Sequence, residues 1–133
     1  MSGHYAEVDR RAEHRCEYCR APEVIFNLPF ELEHIEPRAR GGADDASNLA
    51  LSCRACNVFK SDQQTYFDDL SSAAAPLFHP RRDRWDEHFR ADLATGRIDG
   101  LTPIGRATVA CLRMNRPVQL AARIAWIELQ LFP

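Results

Sequence analysis

Four of the five cysteines form two pairs, Cys16 with Cys19 and Cys53 with Cys56, with two residues inside each pair. Structural Zn²⁺ sites take four soft or borderline ligands in a tetrahedron, and two such turns supply four thiolates at the right local spacing. The alternative is a set of buried or redox-active thiols. Disulfide frameworks are rare in a reducing cytosol, and an odd count leaves one thiol unpaired. The spacing therefore predicts a Cys₄ zinc site, with Cys111 a small core residue.

Further polar residues lie between and after the cysteine pairs at defined positions. They are Glu33-His34-Ile35 with Pro37, then Gly41-Gly42, then Asn48-Leu49, and finally Asn57 and Lys60 after the second pair. Taken singly, the glutamate and histidine are typical of a solvated strand edge, and each asparagine of a turn or a helix start. Because all of these residues occur together, at defined spacings from the cysteine pairs, one common site is favoured.

Over about residues 16–60, this combination resembles the HNH endonuclease family in its zinc-bracketed form. The resemblance implies a ββα-metal fold. It also implies that His34 is the general base, that Glu33 and Asn57 bind a catalytic metal ion, and that Asn48 orients the loop that carries the base.

The residue types suit the chemistry that the family performs. Hydrolysis of a phosphodiester needs a base for water, a divalent metal ion to neutralise charge, and rigid positioning of both. The imidazole of His34 can accept a proton when it is neutral. Glu33 and the amide oxygen of Asn57 are hard donors suited to Mg²⁺ or Mn²⁺.

The sequence departs from the common family pattern at two positions. Asn57 stands where the family most often has histidine, an HNN-type variant that favours hard, oxygen-preferring metals. Glu33 stands where the family usually has aspartate, and its extra methylene moves the carboxylate by about a bond length, enough to lower the rate. Strict strand alternation would also send Glu33 and His34 to opposite faces, so the strand must twist or end at this dipeptide if both are to reach one metal ion.

The elements that position these residues follow from short apolar runs and turn residues. Residues 30–35 and 49–53 are predicted to be two short strands joined by a long loop, and residues 54–64 a helix. Residues 66–80 are predicted to be a loop. Helices are predicted over residues 83–95, from Trp85, Phe89 and Leu93 at helical spacing, over residues 103–114 with Thr102 as the N-cap, and in a last segment from Val118.

Basic residues within the module offer a modest phosphate-binding patch. They are Arg38, Arg40, Arg54 and Lys60. The net charge of −2 excludes a general basic field, so contact with nucleic acid must be local. The alternative for such residues is a solvated face of mixed charge.

These observations predict one α+β domain over residues 1–133: a zinc-stapled ββα-metal module at 16–64 with a helical extension at 80–133 packed on it. The predicted activity is metal-dependent cleavage or nicking of DNA, and double-strand cuts would need a homodimer or two successive nicks. The alternatives are a catalytically decayed nucleic-acid-binding module and a zinc scaffold for protein contacts. The charged first residues and the lack of an apolar run of about 20 residues predict a cytoplasmic location and no membrane contact.

Overall fold

The computed structural model of the chain describes residues 3–133. Six short strands form three two-stranded antiparallel sheets: β1 (Glu31–His34) with β2 (Leu49–Ser52), β3 (Thr65–Asp68) with β4 (Ala73–Pro76), and β5 (Phe89–Ala91) with β6 (Ile98–Gly100). The helices are α1 (Tyr5–Arg11), α2 (Arg54–Lys60), α3 (Trp85–His88), α4 (Pro103–Cys111) and α5 (Pro117–Glu128). This confirms the predicted α+β class. Within residues 3–133, no helix is long and apolar enough to cross a membrane.

The predicted order of strand, loop, strand and helix in the module is confirmed. Strand β1 pairs with β2 so that His34 lies opposite Leu49. Helix α2 begins at Arg54 as predicted but ends at Lys60, because Ser61 has a φ of +49° and leaves the helical conformation. The module therefore contains a β-hairpin with a long connection, followed directly by a two-turn helix.

The connection between β1 and β2 is compact and depends on its glycine pair. Gly41 has a φ of +92°, which favours glycine. A side chain on Gly42 would lie 1.8 Å from the backbone oxygen of Glu36, so no larger residue fits there. Two 3₁₀ turns, Arg38–Arg40 and Ala46–Asn48, complete the connection.

The chain after the module, residues 65–133 and from here on called the extension, contains more strand than predicted. The predicted loop over residues 66–80 is wrong in part, because β3 and β4 form a hairpin over residues 65–76. In this hairpin, the side chain of Asp68 accepts two hydrogen bonds from Arg106 of α4. The predicted helix over residues 83–95 is also wrong beyond His88, because Phe89 starts strand β5 and pairs with Gly100. Phe89 is buried and Leu93 is exposed, so only part of the predicted apolar face is used.

The extension packs on the module through side chains from both segments. The indole of Trp85 donates to the backbone oxygen of Tyr18 at 2.8 Å, and Arg81 forms an ion pair with Glu17. Phe78 also contacts the ring of Tyr18 edge-on at 6.5 Å. These contacts place the extension directly against the first cysteine turn.

Candidate functional site

The four paired cysteines meet in one buried cluster. Their sulfur atoms all lie within 4.8 Å of one another, and the Sγ atoms of Cys19 and Cys53 are 3.7 Å apart. A tetrahedral Zn²⁺ ion with Zn–S bonds of about 2.3 Å needs sulfur atoms roughly 3.8 Å apart. All four cysteines are free of disulfides. The prediction that these four cysteines come together in a position to bind one metal ion is therefore confirmed, and the donor set fits structural zinc.

Local backbone geometry explains why these cysteines converge. Cys16 is the first residue of a tight turn. The backbone oxygen of Cys16 accepts from the backbone amide of Arg20 at 2.9 Å, and the backbone amide of Cys16 donates to the backbone oxygen of Ala21 at 3.0 Å. Cys53 is the residue before the first turn of α2, and Cys56 lies within that turn. The two turns thus come from the chain before β1 and from the start of α2.

One buried cation from the extension lies beside this cluster. Arg123 of α5 is 1% exposed, and its guanidinium donates to the backbone oxygens of Gly96, at 2.8 Å, and Met114. Burial lowers the pKa of Arg123, and the negative potential of the cysteines partly offsets that effect. The sequence pattern did not point to this residue. The signal was a lone arginine within the apolar run of α5.

Glu33 faces inward from β1 into a buried ion pair. Its Oε1 lies 2.5 Å from the Nζ of Lys60, and its Oε2 accepts from the hydroxyl of Tyr18 at 2.8 Å. Lys60 also donates to the backbone oxygen of Ile35 at 3.0 Å. Burial raises the pKa of Glu33, and the charge and hydrogen bond of Lys60 partly counter that increase. The carboxylate is thus held by two side chains of the module.

His34 projects to the other face of the same strand, as strand alternation requires. Its side chain is 26% exposed, and its Nε2 lies 2.9 Å from Oδ1 of Asp44 in the connecting loop. The hydrogen bond from His34 lowers the pKa of Asp44 below its usual value, so this carboxylate stays ionised at neutral pH. The structure therefore does not bring Glu33 and His34 together, and it adds Asp44, which sequence analysis did not single out.

Asn48 is buried and fastens the loop that carries Asp44. Its Oδ1 accepts from the amide of Glu36 at 2.9 Å, and its Nδ2 donates to the backbone oxygens of Glu36, at 3.0 Å, and Ala43, at 2.8 Å. Ala43 directly precedes Asp44. These three hydrogen bonds hold both sides of the loop in register with the end of β1.

Asn57 lies on the face of α2 that packs against β1. Its Nδ2 donates to Oε1 of Glu31 at 2.9 Å, and Arg54 contacts the other oxygen of Glu31 at 3.0 Å. Glu31 and Glu33 share one face of the strand, since they are two residues apart. Asn57 therefore meets Glu31, which the sequence did not indicate, while Glu33 meets Lys60.

Three of the four basic residues predicted to bind substrate are exposed. Arg38 and Arg40 lie in the loop, with Arg40 donating to the backbone oxygen of Asp62 at 3.1 Å, and Arg54 is at the start of α2. Lys60 is 2% exposed and faces the interior. The surface available for phosphate contact in the module is therefore made by arginines.

Comparison with known families agrees with the geometry of the module. Residues 16–63 match the family model described as HNH endonuclease, which covers about a third of the chain. Comparisons with curated proteins and with solved structures gave no match. The matched segment contains both cysteine pairs, the β1–β2 hairpin and α2. Over residues 16–63, the chain therefore matches the HNH endonuclease family, and we call this segment the HNH domain.

Proposed function

We propose that this domain nicks or cleaves DNA phosphodiester bonds in a reaction that requires a divalent metal ion, Mg²⁺ or Mn²⁺, with His34 as the general base. One observation carries the proposal: the half-buried imidazole of His34 is held at 2.9 Å by Asp44, at a loop that Asn48 fastens. A base of this kind must combine solvent access with a fixed orientation.

The pair of His34 and Asp44 assigns a role to each ring nitrogen. When Nε2 carries the proton and donates it to the ionised carboxylate, Nδ1 is left as the acceptor. A water molecule that loses its proton to Nδ1 attacks phosphorus, the new oxygen–phosphorus bond forms, and the bond to the leaving 3′ oxygen breaks. Asp44 acts here as a positioning residue, because it holds the imidazole and stabilises its protonated form.

The metal requirement within this proposal rests on the family, since such an ion neutralises charge on the phosphate and the leaving oxygen. The residues predicted to hold it fit only in part. The amide of Asn57 has an oxygen donor opposite the nitrogen bound to Glu31. Glu33 does not fit a hard cation as it is arranged, because the ammonium of Lys60 lies 2.5 Å from its carboxylate and would repel a second cation.

The second candidate function is a zinc-stabilised nucleic-acid-binding module without cleavage. The buried pair of Glu33 and Lys60 is the observation that favours it, since a carboxylate so engaged is not open to a catalytic ion. In that case Arg38, Arg40 and Arg54 would contact phosphates, and the affinity would fall with salt.

The two candidates separate in a plasmid assay with the full zinc-loaded chain. Supercoiled DNA is incubated with Mg²⁺ or Mn²⁺, and in parallel without added metal, which avoids a chelator that would strip the zinc. Metal-dependent nicking that His34→Ala lowers and His79→Asn leaves intact supports the nuclease. DNA binding with no nicking under any metal condition supports the second candidate.

A further inference from the structure

A second cluster of ligand-type side chains lies outside the cysteine site. It consists of Asp9 on α1, His14 in the turn that follows, and Glu23 in the 3₁₀ turn Glu23–Ile25. One ligand atom from each of these residues lies within 4.8 Å of one from each of the others. None of the three is used by the zinc site or by the proposed nuclease site.

The backbone holds this cluster in place before any ligand binds. The backbone amide of His14 donates to the backbone oxygen of Asp9 at 3.0 Å, and the backbone amide of Glu23 donates to the backbone oxygen of His14 at 2.9 Å. Glu13 and His14 have φ values of +56° and +60°, a conformation that costs free energy in residues other than glycine. The chain thus maintains a sharp turn that presents His14 to both carboxylates.

The carboxylates of the cluster retain unused oxygen atoms. Oδ2 of Asp9 lies 2.9 Å from Nδ1 of His14, but Oδ1 of Asp9 is buried and has no hydrogen-bond partner. In Glu23, Oε2 accepts a hydrogen bond from the hydroxyl of Tyr5 and another, at 2.8 Å, from the backbone amide of Phe30. Neither of these hydrogen bonds involves Oε1 of Glu23. A buried carboxylate oxygen without a partner is costly, and a cation at the centre of the cluster would remove that cost.

Two arginines near the cluster in the sequence, Arg11 and Arg15, have their hydrogen bonds elsewhere. Arg11 donates to the backbone oxygens of Ala46 and Leu49, and Arg15 donates to those of Arg20 and Leu131. Both guanidinium groups are therefore engaged with carbonyl groups of other segments. Within the cluster, the carboxylate of Asp9 pairs with the imidazole of His14.

We propose that Asp9, His14 and Glu23 form a second metal site that binds a divalent ion of borderline hardness, Zn²⁺ in the first place. One imidazole and two carboxylates are a normal protein donor set for Zn²⁺, with water completing the shell. The ion joins α1 to the segment that starts the cysteine turn, because His14 lies two residues before Cys16 and Glu23 lies four residues after Cys19. Its role is to fasten the N-terminal helix to the HNH domain.

Native mass spectrometry of the full chain at saturating Zn²⁺ tests the proposal. The wild type is expected to hold two ions, and Asp9→Asn and His14→Ala are each expected to hold one, with the cysteine site still filled. Glu13→Gln is the matched control, because it removes an adjacent exposed carboxylate outside the cluster and should still hold two. Both site variants should also lose the increase in melting temperature that the second equivalent of zinc gives the wild type.

Two results would overturn the proposal. One is a wild-type chain that holds a single zinc ion at saturation, which would make the contact of His14 with Asp9 an ordinary ion pair. The other is a second ion that persists in both Asp9→Asn and His14→Ala, which would place it elsewhere. The retained ion at the cysteines shows in each case that the variant is folded.

Discussion

The HNH domain and the chain that follows it bury different chemistry. Inside the domain, four cysteines and the charged pair of Glu33 and Lys60 occupy interior positions. In the extension, the interior is mainly aromatic and aliphatic, with Phe78 and Phe89 in ring contact at 5.2 Å and Leu112 in the same core. Polar partners need fixed geometry, whereas apolar burial is non-directional. The domain is therefore specified by particular residues at particular spacings, and the extension by a general apolar pattern.

The division is not complete, since two charged groups of the extension are also buried. Arg123 lies beside the cysteine cluster, and Asp68 joins the β3–β4 hairpin to α4 through Arg106. A zinc ion held by the four thiolates would carry a net charge of about −2, and Arg123 would supply a partial counter-charge from the far end of the sequence. The extension thus contributes to the electrostatics of the metal site that it covers.

The largest expected effect concerns the cysteines. Cys16→Ser and Cys53→Ser should each lose zinc and fail to fold, because structural zinc contributes about 10 kcal/mol or more in small sites. Cys111→Ser is the matched control from the extension: it is also buried but should keep one zinc in the cysteine site and a cooperative thermal transition. Zinc content and thermal unfolding by circular dichroism measure both. Folded protein without zinc would contradict the account.

The charged pair inside the domain should give the next largest effect. Lys60→Met leaves Glu33 buried without its cation and should lower the free energy of unfolding by about 3–5 kcal/mol. Glu33→Gln should also destabilise, whereas the double variant should recover most of the loss, since the glutamine can still accept from Tyr18. Urea unfolding measures the cycle.

The same variants decide the role of Glu33 in cleavage. If the pair is structural, the double variant keeps its metal-dependent nicking rate. If Glu33→Gln folds as stably as the wild type and instead requires far more Mg²⁺ or Mn²⁺, Glu33 is a metal ligand and its contact with Lys60 is a resting arrangement.

Arg123 tests whether the extension supports the zinc site. Arg123→Met removes the buried charge while keeping much of the side-chain volume, and should weaken zinc binding by about tenfold or more, as loss of partners around a metal site commonly does. Competition with a chromogenic chelator measures the affinity. Arg90→Met, an exposed position on β5, is the control. Equal zinc affinity in both variants would show that Arg123 contributes to packing and not to zinc binding.

A smaller effect is expected from acid on the extension. Arg106 holds the pKa of Asp68 well below its ordinary value, so the folded state binds its proton only in strong acid. The stabilisation is fully present above the unfolded pKa of about 4 and is lost as the pH falls below it. Arg106→Gln should therefore reduce stability at neutral pH and flatten this acid dependence, as thermal melts from about pH 3 to 7 would record. An unchanged profile would show that the pair adds nothing measurable.

The structure of the domain follows more directly from the sequence than that of the extension, for physical reasons. Metal-ligand spacing and the Gly41-Gly42 turn are local features, so the residue pattern alone was enough to group Cys16, Cys19, Cys53 and Cys56 in one site. The inward orientation of Glu33 was foreseeable from strand alternation, but its pairing with Lys60 depends on where α2 packs.

The β3–β4 hairpin of the extension shows the opposite case. It was missed because the small residues 71–75 are typical of a loop. The strand conformation of residues 73–75 depends on pairing with β3, where Tyr66 lies opposite Ala75 and Phe67 opposite Ala74, and no local pattern in residues 71–75 encodes that pairing.

The contact of Asp44 with His34 was also not foreseeable, because Asp44 stands in a loop of mixed acidic and small residues. Only the fold of that loop, fastened by Asn48, brings its carboxylate to His34. The predicted roles of His34, Glu33, Asn48 and Asn57 in catalysis stay predictions until activity is measured.

The most direct test is the single-turnover rate of plasmid nicking at saturating DNA and metal for four chains: wild type, His34→Ala, Asp44→Asn and the double variant. Loss of the base should lower the rate at least about a hundredfold. Asp44→Asn should lower it less, and the double variant should be no slower than His34→Ala, since Asp44 acts only through His34. A His34→Ala chain that nicks at the wild-type rate would contradict the assignment of the base and with it the proposed mechanism.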